Sequence, residues 1–278
     1  MRLIALTALT MVAFAANSVL NRMAIVDGGM DAFVFAVVRL LAGALLLAAL
    51  MLWQRKSFEV SALRNPAGVV SLLVYLFGFS LAYRVLPSGV GALLLFGMVQ
   101  VTMFGAAVLG REVIPMTRWA GTGFAFLGLC WMLWPQPGVQ TPFLAMSAML
   151  IAGIGWGVYS LAGRGAKDPV QATALNFIFA APVGLVMLLI LPVNTDAYTA
   201  NGVALAILSG AVTSGLGYAL WYRILPTLGA TRAAVAQLTV PVIATLGGVA
   251  FLSEAVTLQF GISSILVLGG VGLAILRK

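Results

Sequence analysis

The chain has 278 residues, of which 62% are hydrophobic and 8% charged, and its mean hydropathy is +1.11. A soluble domain carries roughly a quarter charged residues, so most of this surface must face lipid; at about 20 apolar residues per span, about ten spans use up the chain and leave no soluble catalytic domain. Histidine is absent and Cys130 stands alone, which excludes a disulfide framework, a Cys-based metal site and His-dependent acid–base chemistry; no cofactor is expected.

Apolar runs of spanning length fall at 3–22, 32–53, 67–85, 88–109, 117–134, 143–163, 171–192, 202–224, 227–251 and 258–276. Breakers separate them: Asp27-Gly28-Gly29, Asn65-Pro66, Pro135-Gln136-Pro137-Gly138 and Asn194-Thr195-Asp196. Arg2, the apolar stretch and Ala13-Phe14-Ala15 imitate a cleavable signal peptide. The same pattern recurs in mid-chain, so the first run is read as a retained helix.

The net charge of +8 is unevenly spread. With the N-terminus inside, the cytoplasmic face collects Arg2, Arg55, Lys56, Arg64, Arg111, Arg118, Arg164, Lys167, Arg223, Arg232, Arg277 and Lys278. The outer face receives Arg22 and Arg84 with Asp27, Asp31, Asp196 and Glu254. The positive-inside rule then predicts an even number of spans with both termini cytoplasmic. It accounts for the basic balance with no nucleic-acid partner.

Tyr83-Arg84-Val85-Leu86-Pro87 reappears as Tyr222-Arg223-Ile224-Leu225-Pro226, each copy predicted to end one span and start the next. Gly110-Arg111-Glu112 is echoed by Leu252-Ser253-Glu254, and Phe14-Asn17-Ser18-Arg22 by Trp156-Tyr159-Ser160-Arg164 at equal spacing. The halves are 1–135 and 142–278, with five spans each. Because five is odd, the second half enters the membrane from the opposite side. The expected fold is therefore an all-α integral membrane protein of ten helices, two inverted five-helix repeats around a central cavity. Such repeats belong to secondary transporters, which bind substrate near the midplane between the halves.

These features resemble the drug/metabolite transporter superfamily, in particular its ten-span EamA-type members, which include YddG-like amino-acid exporters. The resemblance covers essentially the whole chain. It rests on the duplication, the two Tyr-to-Pro motifs, Leu238-Thr239-Val240-Pro241-Val242 running to Glu254, and Arg39. It implies helices of both halves around a central cavity, the fifth and tenth at the periphery, and export of metabolites across a bacterial inner membrane. The small multidrug members carry a glutamate in the first helix; this first helix has no acid.

Several residues are candidates for lining that cavity. Phe14, Asn17, Ser18 and Asn21 share one helical face, matched by Trp156, Tyr159, Ser160 and Gly163. Amides are costly against lipid, so this face points into the bundle, to line a cavity or to hydrogen-bond neighbouring helices. Arg39 lies about 12 Å into its helix at 1.5 Å per residue. Its guanidinium serves either a substrate carboxylate or carbonyls at a helix end. Tyr75, Phe79 and Tyr83 recur every four residues, as do Ser214, Tyr218 and Tyr222; the deeper Tyr75, Phe79 and Tyr218 are the site candidates. Gln100 and Thr102, Asn176 and Gln237 are isolated polar groups, read as cavity lining or interhelical contacts. Gly153 and Gly157 permit close helix approach, and Pro182 and Pro241 are expected to kink their helices. Trp53, Trp119 and Trp134 are expected interfacial anchors. Glu112 and Glu254 are expected to pair with nearby arginines or cap helices.

The leading reading is a secondary exporter of small metabolites, with amino acids foremost, working by alternating access in the lipid bilayer with a monomer as the functional unit. No nucleotide-binding loop is present. With no carboxylate inside a predicted span, gradient-driven efflux is favoured over proton antiport. The alternatives are a carrier of a nucleobase, vitamin, sugar or drug, a non-transporting assembly subunit, or an intramembrane enzyme limited to Ser, Tyr and Lys chemistry.

Overall fold

Within a membrane every backbone polar group needs an internal partner, and a chain of apolar runs satisfies this by forming helices. The computed structural model describes residues 1–55, 66–111, 113–135, 142–163, 166–191, 193 and 199–276, and among these it is helical with no strand. Helix α1 (Arg2–Arg22) continues through a π-helical turn, Met23–Asp27, and is followed by α2 (Ala32–Trp53), α3 (Ala67–Ala82) and α4 (Ser88–Leu109). Next come α5 (Met116–Leu133), α6 (Phe143–Gly163) and α7 (Pro169–Ile190). Helix α8 (Ala200–Leu208) runs through a π-helical segment, Ser209–Leu216, straight into α9 (Gly217–Gln237); α10 (Thr239–Leu252) and α11 (Leu258–Leu276) complete the chain.

Side chains set several of these boundaries. The Asp31 carboxylate accepts from the Phe33 and Val34 amides at 2.8 and 3.4 Å and starts α2. Asp168 accepts from Gln171 N–H at 3.0 Å, with Pro169 in the first helical turn. The Thr199 hydroxyl accepts from Gly202 N–H at 3.0 Å and donates to the Gly28 carbonyl at 3.2 Å, which ties the start of α8 to the end of the α1 unit.

Among the described residues, six helical stretches are long and apolar enough to cross a membrane: Arg2–Asp27, Ala32–Trp53, Ser88–Leu109, Phe143–Gly163, Pro169–Ile190 and Ala200–Leu228. Shorter apolar helices are Ala67–Ala82, Thr239–Leu252 and Leu258–Leu273. Leu45, Leu109, Leu189 and Phe251 are exposed on the outside, as a lipid-facing surface requires. Trp53, Trp119 and Trp134 are also exposed, at or near helix ends.

Packing runs between the two sequence halves. Helix α6 lies against α3 and α4, α2 against α7 and the π segment, α1 against α9 and α10, and α4 against α10. Gly153 and Gly157 of α6 allow the approach of α4: a Cβ at Gly153 would overlap Met98, and one at Gly157 would overlap Thr102. Helix α5 stays at one side and packs chiefly on α11, where the Gln259 amide reaches the Trp131 and Trp134 carbonyls at 3.0 and 2.9 Å.

Two expectations need correction. The second Tyr-to-Pro motif is not a turn: α9 continues through Pro226 to Gln237, and the break falls at Leu238. The first copy does form a turn, between Ala82 and Ser88. Pro241 sits in the first turn of α10, where a missing N–H costs nothing, so it does not interrupt a helix; Pro182 and Pro226 are the prolines inside helices. Lys56, Arg64, Asn65, Glu112, Gln136 to Gly138, Arg164, Asn194 to Asp196, Arg277 and Lys278, named in the sequence analysis, lie outside the described residues.

Candidate functional site

At the centre of the bundle lies Arg39, fully buried in α2. Glycine lets it meet the opposite half. A Cβ on Gly210, in the π segment, would overlap the Arg39 carbonyl oxygen, so only glycine permits this crossing of α2 and the π segment. The Arg39 Nε donates to the Ser214 hydroxyl at 2.7 Å, and Nη2 donates to the hydroxyls of Tyr218 at 2.6 Å and Tyr75 at 3.1 Å. Tyr218 in turn donates to Tyr75 at 2.9 Å. The guanidinium carbon stands 5.4 Å from the Tyr75 ring centre and 5.0 Å from that of Phe79. Hydroxyls and ring faces thus disperse a charge that would be very costly bare in this interior. Nη1 has no partner.

A second polar centre adjoins the first. The Asn17 side-chain oxygen accepts from Ser209 at 2.8 Å, from Ser214 at 3.2 Å and from Thr213, while its amide donates to the Thr213 carbonyl at 3.2 Å. Ser214 therefore links Arg39 to Asn17, joining α1, α2, α3 and the α8–α9 unit in one network. The π winding matters here, because it turns Ser209, Thr213 and Ser214 together toward α1. Such segments recur at functional sites.

Aromatic rings enclose this network. Phe14 makes edge contacts with Trp156, Tyr218 and Trp221 at 5.2, 5.8 and 5.6 Å between ring centres. Trp156 lies 5.0 Å from Tyr75, 4.7 Å from Tyr218 and 5.5 Å from Tyr159. Tyr222 stacks on Tyr159 at 5.1 Å and donates its hydroxyl to the Tyr159 carbonyl at 2.8 Å. The indole N–H groups of Trp156 and Trp221 and the hydroxyl of Ser160 are buried without partners among the described residues, and the Tyr159 hydroxyl lies beside Tyr222, Asn176 and Thr173.

Toward one end, a clasp joins the halves again. Asn21 donates to the Ser80 hydroxyl at 3.0 Å. Beyond it, Arg22 donates to the Tyr83 carbonyl at 3.0 Å and faces the Glu254 carboxylate at 3.4 Å. Glu254 accepts from the Ser88 amide at 2.8 Å and the Ser88 hydroxyl at 3.3 Å, so it caps the N-terminus of α4 from the far half. Gly248 leaves room for that carboxylate, which a Cβ there would overlap. The expected pairing of Glu254 with an arginine is thus observed, together with a capping role.

Of the residues singled out in the sequence, Phe14, Asn17, Arg39, Tyr75, Phe79, Trp156, Tyr159 and Tyr218 come together at the centre, with Asn21 on the path to the clasp. The expectation that Arg39 clamps carbonyls at a helix end gives way to three side-chain hydroxyls. Gln100 and Gln237 stand apart from these contacts, with Gln237 buried at the end of α9, whereas Asn176 packs its amide over Gly68 at the start of α3 and lies beside the Tyr159 hydroxyl. Trp221, Ser209 and Thr213 were not anticipated. No periodicity marked Trp221; Ser209 and Thr213, at i and i+4, share a face of any helix, and the π winding adds Ser214 at i+5 to that face.

Comparison with known proteins agrees with this architecture. The EamA-like transporter family model matches residues 143–276. An uncharacterized Pseudomonas aeruginosa protein, PA1977, is 42% identical over 273 residues, covering 98% of this chain and 94% of that protein. An uncharacterized transporter of Archaeoglobus fulgidus is 23% identical over 214 residues, covering 76% of each chain. A protein of known crystal structure superimposes with a TM-score of 0.67 at 21% identity, covering 97% of this chain and 98% of that one, a likeness of fold alone. The chain is a multi-pass membrane protein whose second half, residues 143–276, matches the EamA-like transporter family of the drug/metabolite transporter superfamily.

Proposed function

We propose that the chain is a secondary carrier exporting small metabolites, amino acids foremost, across a bacterial inner membrane by alternating access of two inverted halves, 1–135 and 142–278. The observation that carries this reading is the central network. Arg39, Tyr75 and Asn17 come from the first half, Ser209, Thr213, Ser214 and Tyr218 from the second, and they meet deep in the bundle where a carrier binds its cargo.

The packing supports an internal exchange of halves. If spans one to five are exchanged with spans six to ten, the α3–α6 contact maps onto that of α1 with the α8–α9 unit, and α4–α6 maps onto α1–α10; α2–α7, α4–α10 and α5–α11 map onto themselves. Arg111 and Ser253, each preceding the repeated glutamate, share a left-handed backbone with φ of 53° and 52°. The clasp of Arg22, Ser88 and Glu254 closes the end that the charge pattern assigns to the outside, while both termini lie in the cytoplasm.

Among the described residues no acid belongs to the central network, which supports flux driven by the substrate gradient. The test is efflux of a labelled amino-acid panel from proteoliposomes. Saturable flux of one or more amino acids is expected; flux of another metabolite class alone would replace the substrate, and no flux of any small solute would overturn the carrier.

A further inference from the structure

The central site holds an excess of donors. Arg39 Nη1 and the indole N–H groups of Trp156 and Trp221 are buried and unpartnered, and all three can only donate. The Ser160 hydroxyl, without a partner among the described residues, adds one more donor, and the Tyr159 hydroxyl beside Thr173 and Asn176 can turn to supply another. The rings link these groups: Trp156 touches Tyr75, which touches Arg39, and Phe14 joins Trp156 to Trp221.

The acids are elsewhere. Among the described residues Asp31 and Asp168 cap helices, Glu254 is held in the clasp, and Asp27 is exposed at the end of the first helical unit. One buried cation therefore stands without a counter-charge at a site rich in N–H and O–H groups. An ammonium group entering here meets like charge at short range and no carboxylate. A carboxylate instead supplies the missing counter-charge and accepts the orphan bonds, and bonds of that type are the strong ones.

Resting on the carrier reading, we propose that this site recognises its cargo by a carboxylate and an apolar or aromatic body, and not by an amine. Arg39 Nη1 anchors the carboxylate, Trp156, Trp221 and Tyr159 supply further donors, and the rings of Phe14, Trp156 and Tyr218 receive the body. An amino acid is then taken as an organic acid, and its amino group contributes little.

Three matched probes test this: phenylalanine, 3-phenylpropionate, which lacks the amine, and 2-phenylethylamine, which lacks the carboxylate. Binding to purified protein is read from tryptophan fluorescence, which needs no transport. The two acids are expected to saturate within about threefold of each other, with the amine at least tenfold weaker. Arg39→Gln is expected to weaken both acids at least tenfold. Tyr159→Phe removes a hydroxyl and Trp156→Phe an indole N–H together with part of its buried ring, so the thermal midpoint falls more in the second, while acid affinity falls several-fold in both. Amine binding as tight as the acids, no response to either acid, or unchanged acid affinity in the two folded Phe variants would each overturn the proposal. Acid binding without flux in proteoliposomes would instead remove the carrier reading and leave the site standing.

Discussion

The Arg39 guanidinium donates to the Tyr218 hydroxyl at 2.6 Å, joining α2 of the first half to α9 of the second. Hydrogen bonds to a charged group contribute about 1.5–3 kcal/mol, so Tyr218→Phe is expected to lower the unfolding free energy by an amount in that range. Thermal unfolding in detergent checks this. An unchanged midpoint would mean that Ser214 and Tyr75 suffice to hold the charge.

Asn17 gathers three hydroxyl donors on one oxygen. Single interhelical bonds in membranes contribute on average about 0.6 kcal/mol and at most about 1.7. Asn17→Ala breaks several at once and is expected to cost about 1.7 kcal/mol or more, with Asn17→Ser losing less. Equal stability of wild type and both variants would contradict the network.

Gly210 and Gly105 form a matched pair for the crossing of α2. Alanine at Gly210 drives its Cβ into the Arg39 backbone, whereas nothing lies near a Cβ at Gly105. Gly210→Ala is expected to lose about 1–3 kcal/mol, as overpacked sites do, and Gly105→Ala almost nothing.

The clasp predicts a change of access. In a Cys130→Ser background, a cysteine replacing buried Ser80 should react slowly with a membrane-impermeant thiol reagent. Adding Glu254→Gln removes the charge facing Arg22, and labelling from outside is expected to rise several-fold. An unchanged rate would mean that the clasp does not hold that end closed.

Pro226 separates the two copies of the Tyr-to-Pro motif, one a turn and the other continuous helix. An interior proline costs a helix about 3 kcal/mol. Pro226→Ala is therefore expected to stabilise this conformation, raising the thermal midpoint and slowing turnover. A stabilised variant with faster turnover would contradict a role for this segment in switching.

Much of this was legible in the sequence where chemistry is local. Asp31 and Pro87 mark the starts of α2 and α4, and the predicted runs 32–53 and 88–109 match those helices. Helical spacing alone put Phe14, Asn17 and Asn21 on one face, and depth alone made Arg39 conspicuous. The α9 boundary misled because sequence similarity between the Tyr-to-Pro copies carries no information about which conformation each adopts. Ser209 and Thr213 escaped because small hydroxyls in an apolar run carry no distinguishing pattern, and a 3.6-residue period does not place Ser214 beside Ser209. Trp221 escaped because an aromatic residue in an apolar run has no distinguishing pattern.

The most direct measurement is efflux from proteoliposomes loaded with the amino acid that wild type moves best, compared with Asn17→Ala and Arg39→Ala at matched, folded protein levels. The account predicts saturable wild-type flux, unaffected by collapse of a proton gradient, and at least a tenfold loss in both variants. Flux that persists in both would place the cargo's path away from the centre of the bundle and contradict the site described above.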